Sequence, residues 1–261
     1  MENIATGHTG LLCLLGSPVE HSISPAMQNT ACRLTGLDLC YLAFDVQPER
    51  LPAAVAGLRA IGFKGCNVTM PHKNAMAQLV DELSPAARLC GAVNTVVNQN
   101  GCLVGHTTDG VGWVHSARAE GCDPTGKAIV QLGAGGAGTA ILVQAALDGA
   151  KSIAVFNMRD AFWPRVEALV QRLNQETDCC VTLHELTDTL LSWTNDAKIS
   201  LSLPSLRADS FTDELMQKVS SVRTSTLTFA PEAGTQRLRD VINKNVTEEE
   251  ILDACRIAFA G

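Results

Sequence analysis

KAIVQLGAGGAGTAILVQAALDGAKSIAVFNMRD, residues 127–160, decides the fold. Lys127–Leu132 is an apolar run of strand length, and Gly133-Ala134-Gly135-Gly136-Ala137-Gly138 follows it directly. Gly135–Leu147 then reads as a helix and Ser152–Asn157 as a second strand. Gly133, Gly135 and Gly138 stand in G-x-G-x-x-G spacing, between a strand and a helix as that motif requires. Such glycines serve a tight turn, close backbone approach to a pyrophosphate, and close helix–strand packing. The anion then sits on the helix N-terminus, where free N–H groups and the macrodipole favour negative charge. The plainer alternative is a glycine turn with a structural role only. Asn157-Met158-Arg159-Asp160 ends the second strand. Asp160 lies at about the distance where an acidic residue bonds the adenosine ribose of NAD. Arg159 suits a 2′-phosphate or stacking on adenine instead, so NAD and NADP both stay open.

Upstream the same alternation continues. Strands are expected at Leu11–Gly16, Leu39–Val46 and Cys66–Met70, and helices at Ser24–Leu34, with Ser24 as N-cap before Pro25, and at Pro48–Ile61, closed by Gly62. A short helix is expected at Ala75–Leu79 and a helical turn at Ser84–Leu89. Ala92–Asn98 and Cys102–Gly105 flank Asn100-Gly101, a two-residue hairpin signal. Asp109–Glu120 reads as helix. The pattern predicts an α/β protein with parallel sheets: an N-terminal α/β substrate domain, residues 1–108, then a Rossmann-like, doubly wound dinucleotide-binding domain, residues 109–261.

The 261 residues carry 46% hydrophobic and 18% charged side chains, ordinary for a globular protein with a sizeable core. A net charge of −7 argues against nucleic acid or an anionic membrane surface as partner. None of the ten cysteines stands in Cys-x-x-Cys spacing, so zinc-ligand patterning is absent. Cys13, Cys66 and Cys90 lie in apolar runs and read as small core hydrophobes. Leu11–Leu15 is too short for a signal or a membrane span, and a reducing cytoplasmic setting is expected.

Lys64-Gly65-Cys66-Asn67-Val68-Thr69-Met70-Pro71-His72-Lys73 carries polar chemistry. Alternation along a strand puts Asn67 and Thr69 on one face, Pro71 ends the run, and Lys73 follows beside that face. This suits a small hydroxylated substrate with one ionisable group attached; a buried strand with an exposed lysine after it is the plainer alternative. His21 and His72 border the stretch without a carboxylate partner by spacing and are expected to face solvent.

Further peptides belong with it: Gly16-Ser17-Pro18-Val19-Glu20-His21-Ser22-Ile23-Ser24-Pro25, Gly91-Ala92-Val93-Asn94-Thr95 and Gly105-His106-Thr107-Thr108-Asp109-Gly110. With the glycine-rich turn, they make the region from about Leu11 to about Ala197 resemble the shikimate dehydrogenase family, which reduces 3-dehydroshikimate with NADPH. Asn157–Phe162 and Asn174–Cys179 are similar to the branch that also accepts quinate. The resemblance implies that Ser22, Ser24, Asn67, Thr69 and Asn94 bind the substrate's hydroxyls and carboxylate. It implies Lys73 and Asp109 as the catalytic pair, although Asp109 also suits a helix N-cap. Gly133, Ala134, Gly135, Gly136, Ala137, Gly138, Asn157, Arg159 and Asp160 would hold NADP or NAD. The implied partner is a small molecule, with no nucleic acid, membrane or metal, and a homodimer is compatible with the family. Two departures matter. Thr108 replaces the family's usual Asn and is expected to loosen Asp109. Met158 replaces the usual phosphate-binding arginine, which favours NAD or dual use.

Beyond Lys198 the family's nicotinamide-contacting segment and late substrate glutamine are absent. Leu203–Phe211 and Leu227–Asp240 instead resemble an internal piece of a radical S-adenosylmethionine enzyme, without the three clustered cysteines that such chemistry needs. Residues 200–261 therefore read as a foreign-looking segment. It is expected to contribute strands at Lys198–Leu203 and Thr226–Ala230 and helices at Ser210–Val222, Thr235–Ile242 and Thr247–Phe259, the last with a Thr247…Glu250 capping box.

Overall fold

A computed structural model describes residues 5–194, 206–207, 229–242 and 246–260. The chain is α/β and divides into two compact units, Met1–Val155 with Val166–Thr182, and Phe156–Arg165 with Leu183–Gly261.

The first unit is built on a six-stranded sheet of β1 (Gly10–Gly16), β2 (Leu39–Asp45), β3 (Gly65–Val68), β4 (Glu82–Leu83), β5 (Thr95–Gln99) and β6 (Cys102–His106), in the order β2-β1-β3-β5-β6-β4. β1 runs parallel to both β2 and β3, because helical crossovers return the chain to the same sheet end. β5 and β6 form the expected hairpin and join β3 antiparallel, so the sheet is mixed rather than wholly parallel. Asn100 and Gly101 hold φ of 54° and 99°, the left-handed pair that a two-residue hairpin turn demands. Cys13, Leu15, Cys66, Val68, Val93, Val96 and Leu103 form the core with Leu51, Val55, Leu58 and Phe63. Cys13, Cys66 and Cys90 are all buried, as their apolar surroundings require.

α1 (Ser24–Thr35) starts one residue earlier than the reading of Ser24 as N-cap implies. Ile23 occupies the cap position, and the Ser22 hydroxyl accepts the Ser24 N–H at 3.2 Å. Pro48–Arg50 forms a 3₁₀ turn before α2 (Leu51–Ala60), because Pro52 can stand only in a first helical turn. α3 (Lys73–Met76) begins two residues earlier than expected, followed by α4 (Pro85–Cys90) and α5 (Asp109–Ala119).

A three-stranded sheet, β7 (Ala128–Leu132), β8 (Ser152–Asn157) and β9 (Cys180–Glu185), has the order β7-β8-β9, with α6 (Gly136–Leu147) and α7 (Trp163–Glu176) as the connecting helices. α8 (Leu186–Thr194) follows. The pattern reading left β4, β9, α7 and α8 unassigned.

Near the C-terminus, β10 (Leu206–Arg207) pairs in parallel with β11 (Phe229–Ala230), ahead of α9 (Gln236–Val241) and α10 (Glu248–Ala260). The capping box forms as spaced: Thr247 N–H donates to Glu250 Oε2 at 2.7 Å, and Glu250 N–H to Thr247 Oγ1 at 3.2 Å. The expected strand at Lys198–Leu203 and helix at Ser210–Val222 lie outside the described residues.

Candidate active site

Lys73 opens α3 immediately after the β3 exit. Its carbonyl accepts the Val93 N–H at 2.8 Å, which ties the lysine to the chain just before Asn94. Asn94 is fixed in turn on both sides, its N–H donating to His106 O at 2.9 Å and its carbonyl accepting from Val68 N–H at 2.8 Å. Asp109 is the first residue of α5, with Thr108 in the cap position. The N-cap alternative for Asp109 is therefore not realised, and its carboxylate is turned to side chains instead.

Lys73 Nζ lies 3.2 Å from Asp109 Oδ2, and Asn94 Nδ2 donates to the other oxygen, Oδ1, at 2.8 Å. Lys73 and Asp109 are 37% and 42% exposed at the side chain, so an incoming molecule can reach both. Exposure also means that the pair adds little to stability, since solvated ion pairs contribute about 0–1 kcal/mol. What it offers is a held ammonium.

Asn94 is itself oriented by three donors. Its Oδ1 accepts from Thr108 N–H at 3.1 Å, from Thr108 Oγ1 at 3.2 Å and from Thr95 Oγ1 at 3.1 Å. With Oδ1 saturated by donors, Nδ2 must face the carboxylate. Thr108 therefore supports Asp109 through Asn94, contrary to the loosening expected of it: a hydroxyl plus its own N–H satisfies the same amide oxygen. Asn67 joins through Nδ2, which donates to Thr95 Oγ1 at 3.3 Å, while its Oδ1 accepts the Tyr41 hydroxyl at 2.9 Å. Of the residues singled out from sequence, Lys73, Asn94, Asp109 and Asn67 thus form one hydrogen-bonded cluster. Thr69, Ser22 and Ser24 are half-buried and not hydrogen-bonded to it, among the described residues. Tyr41, Thr95 and Thr108 were missed as members; Tyr41 and Thr95 meet Asn67 across strands and Thr108 meets Asn94 from the start of α5, contacts that a linear spacing does not display.

His72 corrects another expectation. It is only 1% exposed, and its Nε2 lies 2.7 Å from Val46 O. A carbonyl only accepts, so Nε2 carries the proton here. The main-chain bond from His72 N–H to Thr69 O, 2.9 Å, closes the turn that delivers Lys73. His21 is exposed, as expected.

The glycine-rich turn has the geometry of an anion cradle. Gly133 takes φ of +84°, and a Cβ on Gly138 would fall 2.7 Å from Gly133 O. Gln131 Nε2 donates to both Gly133 O and Gly138 O at 2.9 Å, pinning the turn from inside. The first-turn bond of α6 runs from Thr139 N–H to Gly135 O at 2.7 Å. The N–H groups of such a first turn find no carbonyl within their own helix, so the residues fit a pyrophosphate.

In the second unit, Asn157 is buried and its Nδ2 donates to Met158 O at 2.8 Å. The Arg159 guanidinium lies over Trp163, 5.3 Å from the ring centroid. Asp160 Oδ1 accepts the Phe162 N–H at 2.9 Å, opening the turn into α7. No helix among the described residues is long and apolar enough to cross a membrane.

Residues 14–96 match the family described as shikimate dehydrogenase substrate binding domain. A protein of Listeria monocytogenes named shikimate dehydrogenase (NADP(+)) is 48% identical over 183 residues, 70% of this chain and 63% of the relative. An Escherichia coli quinate/shikimate dehydrogenase is 47% identical over 178 residues, 68% of this chain and 62% of the relative. Matches this long necessarily take in both Asp109 and the glycine-rich turn. The crystal structure of the Listeria monocytogenes shikimate 5-dehydrogenase, in complex with shikimate and NAD, superposes with a TM-score of 0.68 at 46% identity, over 72% of this chain and 65% of that one. This chain spans less than two thirds of the length of these relatives. Its fold is that of their α/β substrate domain followed by a Rossmann-like one, and across the residues that form the Lys73–Asp109 cluster it is similar to shikimate dehydrogenases.

Proposed function

We propose that this chain is an NAD(P)-dependent dehydrogenase of the shikimate or quinate type, interconverting shikimate and 3-dehydroshikimate in aromatic amino-acid (chorismate) biosynthesis. The observation that carries the reading is the Lys73–Asp109 pair, 3.2 Å apart and steadied by Asn94. Oxidation of a secondary alcohol removes a proton from the hydroxyl while a hydride leaves its carbon. A nicotinamide cofactor, when bound, supplies or accepts that hydride. Lys73 holds and moves the proton at the substrate oxygen and stabilises negative charge developing there, an effect worth about 10²–10⁴-fold. Asp109 orients Lys73 and accepts from the substrate hydroxyl. Ser22, Ser24, Asn67, Thr69 and Asn94 hold the remaining hydroxyls and the carboxylate.

Residues 1–108 serve in this reading as the substrate-binding domain and 109–261 as the dinucleotide-binding one. Gly133 to Gly138 would hold the pyrophosphate, with Asn157, Arg159 and Asp160 setting the cofactor's ribose end. Free thiols at all ten cysteines are in keeping with a cytoplasmic setting. Assembly as a homodimer belongs to the same reading and is measured by sedimentation. The segment from residue 200, similar to an internal piece of a radical S-adenosylmethionine enzyme, is read as foreign. Only Cys255 lies in it, so it brings no cluster chemistry.

The test is absorbance of the reduced cofactor with shikimate or quinate and NAD or NADP, on the full chain. Turnover that Lys73→Ala abolishes supports the enzyme. Saturable binding of shikimate and cofactor without turnover favours a binding protein whose nicotinamide side is replaced. Absence of shikimate and quinate binding overturns both.

A further inference from the structure

Tyr41 is the sole tyrosine of the chain, 2% exposed, and it stands two strands away from Asn67. In the register, Tyr41 on β2 faces Leu12 of β1, and Asn67 on β3 faces Leu14 of β1. The phenol therefore crosses above the intervening strand, a span of about 10 Å between backbones. It packs with Leu14 and Val19, flanked by Leu12 and Ala43. Its main chain is clamped from α1 by Asn29, whose Nδ2 donates to Tyr41 O and whose Oδ1 accepts Tyr41 N–H, both at 2.8 Å. Such a fixed phenol has one proton to place, and Asn67 Oδ1 at 2.9 Å takes it.

That bond holds the oxygen end of the Asn67 carboxamide. Its other partner is Thr95 Oγ1, a hydroxyl with a single proton. Thr95 spends its one proton on Asn94 Oδ1, so it accepts from Asn67 Nδ2, and the phenol on Oδ1 secures the same orientation from the other end. With the phenol donating to Oδ1, Nδ2 faces Thr95, and its second N–H has no protein partner among the described residues.

We propose that Tyr41 is a positioning residue that fixes the Asn67 carboxamide so that its free N–H is offered to an acceptor oxygen of the substrate. The proposal rests on the reading of the Lys73–Asp109 cluster as a shikimate-type site. A flipped amide would offer an acceptor instead, and the buried phenol would lose its own partner. Tyr41 does not touch the substrate; it acts only through Asn67.

The test is a double-mutant cycle on the full chain, read as shikimate affinity by calorimetry. Tyr41→Phe keeps the ring and is expected to weaken shikimate about tenfold, while NADP⁺ affinity stays unchanged. Asn67→Ala weakens it at least as much, and the double variant binds no worse than Asn67→Ala alone, because the phenol has no other route to the substrate. Unchanged affinity in Tyr41→Phe, or losses that multiply in the double variant, overturn the proposal. Two further readouts need no shikimate. Side-chain amide resonances of Asn67 must move in Tyr41→Phe. Should that variant not fold, tyrosinate absorbance of Asn67→Ala decides: removing the acceptor must lower the phenol's titration midpoint. Unmoved resonances or an unmoved midpoint overturn the role of Tyr41. Failure of the wild-type chain to bind shikimate would instead overturn the functional reading, leaving those two readouts to judge Tyr41.

Discussion

The imidazole of His72 and the phenol of Tyr41 are buried polar groups next to a site that must stay open, and each has a consequence outside catalysis. His72→Phe preserves the ring but leaves Val46 O without its donor, so the chain should lose about 1–3 kcal/mol, measured by denaturant unfolding. An unchanged unfolding midpoint would mean that Val46 O needs no donor from His72. Tyr41 gives a pH signature. Burial, aided by the Cys13 and Cys66 thiols, pushes its phenol up to about 12. An unfolded phenol titrates near 10, so between about 10 and about 12 the unfolded chain binds fewer protons than the folded one. Stability from this group is complete below pH about 10 and is lost as pH rises toward about 12. Tyr41→Phe should flatten that part of the pH–stability profile, and a single tyrosine makes the parallel absorbance titration unambiguous. At this scale the sequence was half readable. Asn67, Lys73, Asn94 and Asp109 announced themselves by type and motif. His72 did not, because its partner is the main-chain carbonyl of Val46, just past the end of β2, and a carbonyl has no letter of its own.

Among the elements, α5 and α6 carry the most consequence, since α5 begins with Asp109 and α6 with the glycine-rich turn. They cross closely at Gly110, which is buried: a Cβ there would meet the Ala140 carbonyl oxygen, and Gln144 Cβ at 2.6 Å. Backbone cannot yield as a side-chain tip does, so Gly110→Ala should force the helices apart, costing about 1–3 kcal/mol and disturbing Asp109. Gly112, on the same helix, has nothing within 4 Å of such a Cβ. Gly112→Ala should be neutral or stabilising by up to about 1 kcal/mol, because it only removes freedom from the unfolded chain. Paired melting curves check this; equal effects of the two changes would refute the close crossing. Element identity was legible where caps and turns marked it, as at Thr247…Glu250 for a helix and Asn100-Gly101 for a hairpin. α7 was legible too and went unassigned: Val166, Leu169, Val170 and Leu173 repeat at i, i+3, i+4 and i+7 and are all buried. α3 and β4 are too short for any period to show, and tertiary hydrogen bonds such as Val93 N–H to Lys73 O hold α3 in place.

For the molecule as a whole, the informative fact is the strand order β2-β1-β3-β5, which brings residues 41, 67 and 95 into one hydrogen-bonded row on the same sheet face, residue 41 offset by two positions in the register. Alternating strands and helices predict crossovers, but they do not say that β5 lies beside β3 in antiparallel register. That choice is made by packing of the shared core, where Cys66 and Val96 face one another in the register and both are buried. The row also separates two ligand sites by chemistry, polar side chains for one and glycine backbone for the other, so each should be removable alone. Ligand that binds only the folded chain stabilises it by about 2.7 kcal/mol at a hundred times its dissociation constant. Saturating shikimate and saturating NADP⁺ should therefore each raise the melting midpoint. Lys73→Ala should erase the shikimate shift and keep the cofactor shift. Gly138→Ala, whose Cβ would fall 2.7 Å from Gly133 O, should do the converse. Because melting shifts need no turnover, they report on both sites even if residues after Lys198 fail to support hydride transfer. A midpoint moved by neither ligand would refute the dehydrogenase reading, and loss of both shifts in Lys73→Ala would show that the lysine supports the fold rather than the substrate.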